Sequence, residues 1–402
     1  GWRRTGESVR GMCISSCCDR TEMVFVEKKF LTNTISFYII TLIFKLFETQ
    51  NEMVTRMITK IIGTGSCVPE RIVTNDDLAQ IVETSDEWIQ SRTGIRERRI
   101  SEGADTAELA AGAAKAALEN AGVSANDVDL ILVATSTPDH CFPNAACMVQ
   151  AAIGAERAVA YDISAACSGF LFAVNTAYAF LGSGIYRTAL VIGADALSKI
   201  VDWSDRSTCV LFGDGAGAAV LRVEEPVSQV EAGMVSCVKA DLETQTAVKT
   251  EKSGIFAMKM GSDGKKGPVL SCVSRTVGNF LTNTEPQIGY MTMDGQEVFK
   301  FAVKKVPETI KELLDENGLE PKDVKHYVLH QANYRIAEAI AKRLKVSMEQ
   351  IPTNMEHYGN TSGASIPLLL DELNRAGKIQ KGDLLVLAGF GAGLTWGATL
   401  VR

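Results

Sequence analysis

The sequence predicts an α/β protein made of two copies of one design, and three observations carry that prediction. Short apolar runs alternate with segments whose apolar residues recur at three- and four-residue spacings, the signature of strands and helices in succession. A Gly-Xaa-Gly-Ala-Gly string occurs twice, in VLFGDGAGAAVLRV (210–223) and VLAGFGAGLTWGATLVR (386–402). Each reads as a glycine-rich hairpin closing its half of the chain, which is duplication of a whole domain rather than a solenoid repeat. Finally, 402 residues that are 46% hydrophobic and 22% charged, with net charge −7, suit an ordinary soluble protein of about two domains. That balance lacks the basic footprint of a nucleic-acid binder.

In chain order, a strand is expected at 58–65 (ITKIIGTG), then a helix over 106–122, closed by Gly122 as its C-cap. Further strand-like runs follow at 129–136, 158–164, 188–195 and 207–214, with a helical pattern over 170–181. The second half repeats the theme: helix over 298–318, strand at 326–332, helix over 333–344, strand at 383–391. Between the halves, 227–285 reads as irregular, with KTEKSG and GSDGKKGP marking surface loops. The halves are therefore drawn as 57–226 and 227–402. Residues 1–56 do not share the pattern. Their apolar stretch FLTNTISFYIITLIFKLF (30–47) is broken by polar residues and Lys45, short for a membrane helix, and followed by no small-residue cleavage site. They are expected to be a non-core leader or extension, and no membrane role is expected of the core.

Ten cysteines form no CxxC pair, and Cys13, Cys17 and Cys18 have no histidine nearby, so no metal site is expected. Cys141, Cys147 and Cys209 read as small buried hydrophobes in a reducing compartment. Cys167 is different. In DISAACSGF (162–170) it stands where a strand pattern gives way to a helical one, among alanine, serine and glycine. A helix start offers free N–H groups and partial positive charge, which stabilise a thiolate, and small neighbours admit a carbonyl. His330 follows an apolar run in VLHQAN, and Asn360 sits in the turn-rich HYGNTSGASIP. Together they supply a nucleophile, an imidazole and an amide donor at element ends. The order Cys, His, Asn also suits a papain-like protease, but its flanking signature, signal peptide and disulfides are missing. In TSDEWIQSR, Thr84 and Glu87 have capping-box spacing, and Trp88 and Arg92 share a helical face.

These segments resemble the β-ketoacyl-acyl-carrier-protein synthase III family. The resemblance runs from Met57 to Arg402, through KIIGTGSCVPE, TSDEWIQSRTGIRERRI, CFPNAAC, AACSGF, FGDGAGAAVL, VLHQAN, HYGNTSGASIP and GFGAGLTWG. It implies a thiolase fold, two duplicated α/β halves in a five-layered αβαβα arrangement. It implies an acyltransferase that joins a short acyl-CoA to malonyl-acyl carrier protein with loss of CO2. Asn360, where relatives using acyl-carrier-protein primers have a second His, sides with coenzyme A as primer carrier. By the same resemblance Cys167, His330 and Asn360 are catalytic, and the N–H groups of Cys167 and Ala392 form the oxyanion hole. The family usually has glycine at the latter position. Trp88, Arg92, Arg206 and Asn333 would bind coenzyme A, and Lys300, Arg335, Lys342 and Arg343 the carrier protein. Phe142 would close the partner's acyl pocket in a homodimer. No metal or redox cofactor is implied, and the location expected is cytoplasmic. A same-fold condensing enzyme or acyltransferase of secondary metabolism is the alternative.

Overall fold

The computed structural model describes residues 57–224, 253–279 and 281–402. The expectations for 1–56, including Cys13, Cys17 and Cys18, lie outside the described residues, as does Cys237. The first half runs β1 (Ile58–Cys67), α1 (Asp86–Thr93), α2 (Thr106–Ala121), β2 (Leu130–Ala134), α3 (Ala145–Ile153), β3 (Val159–Ile163), α4 (Gly169–Gly182), β4 (Thr188–Ala196) and β5 (Asp214–Glu224). The second runs β6 (Ile255–Ser262), α5 (Gly295–Glu316), β7 (His326–Leu329), α6 (Tyr334–Leu344), α7 (Ser365–Arg375), β8 (Leu385–Gly391) and β9 (Thr395–Val401).

The nine strands hydrogen-bond in the order β7-β8-β9-β6-β1-β5-β4-β2-β3. In one half β2, β3 and β4 are parallel while β5 turns back against β4 and β1. In the other, β7 and β8 are parallel while β9 turns back against β8 and β6. The halves meet edge to edge through one pair, Thr59 with Ile255. Parallel strands need helical crossovers, so helices cover both faces. Helices α2 and α3 pack outside the first half, α5 and α6 outside the second, and α4 and α7 share one apolar core with strands of both. That is the five-layered thiolase arrangement, with β1-α2-β2-α3-β3-α4-β4-β5 matched by β6-α5-β7-α6-α7-β8-β9, in which β3 alone has no counterpart among the described residues. Contact between layers is close. A methyl at Gly65 would lie 2.2 Å from the Ala117 nitrogen, which is why α2 presents alanines to β1.

Most elements fall where periodicity puts them, including α2 with Gly122 left-handed at its C-cap. Three expectations are corrected. Residues 207–214 are not a strand: Asp205 accepts from the Ser207 N–H and Thr208 hydroxyl and starts a short helix, Arg206–Cys209. The first glycine string therefore lies inside β5 and forms no hairpin; only the second turns, between β8 and β9. Nor is 227–285 wholly irregular, because IFAMKMGS forms β6. Met, Lys and Gly favour strands weakly, and here the neighbouring strands β9 and β1 impose the conformation. Among the described residues no helix is long and apolar enough to cross a membrane.

Candidate active site

Both crossover ends and the loop before α7 converge on one cavity of about 620 Å³. Cys167, His330, Asn360, Asn333 and Ala392 all line it. Cys167 lies in a 3-10 turn, Ala166–Ser168, directly ahead of α4. Ala166 before it is held at φ +46°, a left-handed conformation that costs a non-glycine residue of order 1–3 kcal/mol and gathers at functional sites. The β8–β9 turn closes over this loop, since a methyl at Gly391 would sit 2.7 Å from the Cys167 nitrogen.

His330 continues β7 by donating its N–H to Ala388 O at 2.9 Å. Its ring meets Phe390 edge-on at 5.4 Å, and Nδ1 lies 2.7 Å from the Ser365 hydroxyl. That hydroxyl also accepts from the Gln331 N–H at 3.4 Å, and with its own proton given to Nδ1 the ring hydrogen is on Nε2, the tautomer we assign. Burial pushes the imidazole down to about 3, which keeps it neutral. Asn360 is pinned by its own backbone: its N–H donates to Leu211 O at 2.8 Å and its carbonyl accepts from Gly213 at 3.1 Å. The Ser362 N–H takes its Oδ1 at 2.8 Å, leaving Nδ2 as the donor. The site thus offers two neutral N–H donors beside a thiol.

The thiol itself departs from the sequence expectation of a stabilised thiolate. Burial pushes Cys167 up to about 12, Asp195 adds to this, and hydrogen bonds from Ser362 and its own N–H oppose it. Burial thus works against the thiolate that the helix start favours. Of the three cysteines expected to be buried, Cys209 is, Cys147 is only half-buried on α3, and Cys141 is exposed because it lies in the loop before α3.

Trp88 has two guanidinium neighbours, with Arg92 Cζ 4.8 Å and Arg206 Cζ 5.0 Å from its ring centroid. The cap of α1 is one residue later than expected: the Ser85 hydroxyl, not that of Thr84, accepts the Trp88 N–H. Asn333 joins this cluster to the cavity wall, since its Nδ2 donates to Arg92 O and its Oδ1 caps α6 at Arg335. Its amide thus serves the protein frame as well as the wall. Lys300 follows the cavity-lining Phe299 and pairs with Glu297 at 2.8 Å. Arg335, Lys342 and Arg343 are exposed along α6, and Arg335 precedes the cavity-lining Ile336. Phe142 is 87% exposed. Sequence reasoning missed Ser362, Ser365 and Phe390, which orient the two donors. They lie within quoted segments, but nothing in their spacing marks them.

Residues 161–237 match the 3-oxoacyl-[acyl-carrier-protein] synthase III family, and residues 314–402 match its C-terminal family. A β-ketoacyl-[acyl-carrier-protein] synthase III from Synechococcus elongatus is 49% identical over 348 residues, covering 85% of this chain and 96% of that one. The crystal structure of a 3-oxoacyl-[acyl-carrier-protein] synthase III from Aquifex aeolicus is 44% identical, with TM-score 0.73 over 86% of this chain and 99% of that one. A priming β-ketosynthase from the R1128 polyketide pathway is 33% identical, with TM-score 0.74 over 86% of this chain and 96% of that one.

Proposed function

The chain belongs to the β-ketoacyl-[acyl-carrier-protein] synthase III family of acyltransferases, and from that premise we propose that it condenses a short acyl-CoA, with acetyl-CoA as primer, with malonyl-acyl carrier protein. The observation that carries the residue assignment is the meeting of one thiol and two oriented neutral donors in one cavity.

In the first half-reaction the Cys167 sulfur attacks the thioester carbonyl. The carbon–sulfur bond to coenzyme A breaks, and the thiol proton leaves with the coenzyme A sulfur. The N–H groups of Cys167 and Ala392 receive the oxyanion at the helix start, where such donors act most strongly. In the second, His330 Nε2–H and Asn360 Nδ2–H donate to the malonyl thioester oxygen. Loss of CO2 puts negative charge on that oxygen, so donors fixed beforehand lower the barrier. The carbanion then attacks the acyl-Cys167 carbonyl, the carbon–sulfur bond to Cys167 breaks, and the released sulfur takes a proton from solvent. The steps are redox-neutral, and His330 and Asn360 stabilise the enolate oxygen, so this scheme calls for neither a redox cofactor nor a metal.

Trp88 with Arg92 and Arg206 offers a ring face and two cations to the adenine and phosphates of coenzyme A, and Asn333 the adjoining wall. Lys300, Arg335, Lys342 and Arg343 offer positive charge to an acidic carrier protein on a chain whose net charge is −7. Phe142, exposed in one chain, is the residue that would close a second copy's pocket in a homodimer. The working location proposed is the cytoplasm.

Substitution separates the half-reactions. His330→Ala and Asn360→Ala should still be acylated by acetyl-CoA but lose about two to three orders of magnitude in condensation, the usual cost of one such donor. Cys167→Ala should form no acyl-enzyme yet release residual CO2 from malonyl-acyl carrier protein. A folded His330→Ala that cannot be acylated would make the imidazole the activating base and overturn this division.

A further inference from the structure

Asp195 is a buried carboxylate, 0% exposed, that the reaction scheme leaves unused. It ends β4 beneath the cavity, and its two oxygens hold different parts of the structure. Oδ1 accepts from the Ser136 N–H at 2.7 Å and from the Thr135 and Thr137 hydroxyls at 3.3 and 3.2 Å. Both hydroxyls already accept a backbone N–H, from Thr137 and Ala196, so their own protons turn to the carboxylate. Oδ2 accepts from the Gly363 N–H at 3.0 Å.

Gly363 follows Ser362, whose N–H holds the Asn360 oxygen. Ser362 is itself left-handed, at φ +49°, so this turn relies on its surroundings to hold its shape. The surroundings are tight. A methyl at Gly193 would lie 2.1 Å from Gly363 O, and one at Gly363 would lie 3.3 Å from Asp195 Oδ2 and 3.5 Å from Ala166 O. Sterics press the turn against β4, and the carboxylate sets its hydrogen bonding.

We propose that Asp195 is a positioning residue for Asn360: by holding the Gly363 N–H it fixes the turn whose Ser362 N–H aims the Asn360 amide at the substrate. The proposal rests on Asn360 serving the condensation half-reaction. The hydrogen bonds of Asp195 go to the 135–137 loop and to the Asn360 turn and none goes to Cys167, so it serves one half-reaction and not the other, which a residue needed only for folding would not do.

Asp195→Asn keeps the shape and the Oδ1 acceptor but turns an N–H donor toward the Gly363 N–H. Acylation by acetyl-CoA, followed by intact mass, should stay near the wild-type rate. Condensation with malonyl-acyl carrier protein should fall about 100-fold, as for a reacting group displaced by about 1 Å. Thr137→Val removes an Oδ1 donor and the acceptor of the Ala196 N–H but leaves Oδ2 and Gly363 untouched, and should keep both rates. Unchanged condensation in Asp195→Asn, an equal loss of both half-reactions, or a matching loss in Thr137→Val would overturn the proposal. Asn360→Ala is measured beside them: if it condenses normally, the Asn360 assignment itself is wrong, whereas its loss alone refutes only the role of Asp195. Should the amide variant not fold, Asp195→Ser, too short to reach Gly363, must give the same split.

Discussion

Gly391→Ala tests how closely the β8–β9 turn is fitted to the nucleophile. Gly391 needs no left-handed backbone, so the effect is one of space alone. The new methyl would lie 2.7 Å from the Cys167 nitrogen and 3.0 Å from that of Ser168, both backbone atoms that no rotamer change can move. Restoring even a 3.4 Å contact shifts the turn or the Cys167 loop by about 0.7 Å. A shift of that size in a reacting group costs roughly tenfold or more, and overpacking costs about 1–3 kcal/mol of stability. Stopped-flow or quenched acylation with acetyl-CoA, read by mass, measures the first; thermal melting measures the second. Gly182→Ala, with nothing within 4 Å of its methyl, is the control and should leave the acylation rate unchanged. If Gly391→Ala acylates at the wild-type rate, the turn does not set the position of Cys167.

Two further outcomes are expected. His330 is neutral in the fold down to about pH 3, whereas an unfolded imidazole takes a proton near pH 6.5. The unfolded chain therefore binds more protons in that window, and His330 makes stability fall as pH drops from 6.5 toward 3. Melting curves across that window should flatten in His330→Ala; an unchanged pH dependence would place the loss elsewhere. Lys342→Glu should weaken use of malonyl-acyl carrier protein several-fold at low ionic strength, less at high, and spare acylation. Equal losses in both half-reactions would remove Lys342 from the carrier-protein surface.

The layered fold was legible because α2, α4, β2 and β4 are long or fully apolar and obey their periods. Strand β6 was not, since a Met- and Lys-rich segment becomes a strand only between β9 and β1. The short helix at Arg206–Cys209 was hidden for the opposite reason: one side chain, Asp205, overrides an apolar run. At the site, Cys167, His330 and Asn360 could be named because they lie at element ends, inside the segments that carry the family resemblance. The groups that aim them could not. Ser365 and Asp195 act through contacts spanning 35 and 168 residues of sequence, which no local pattern encodes. The Ser362 contact spans only 2 and is an Asx turn, but nothing local shows that it aims a functional amide. The protonation state of Cys167 was also illegible, because burial is a property of the folded chain.

The measurement that tests the central claim most directly is peptide mapping of the protein after incubation with acetyl-CoA. One acetyl group per chain, on Cys167, is the result this account requires. Cys141 and Cys272 are exposed and would react first if labelling followed access alone. Acetylation found on either of them with Cys167 unmodified would contradict the account.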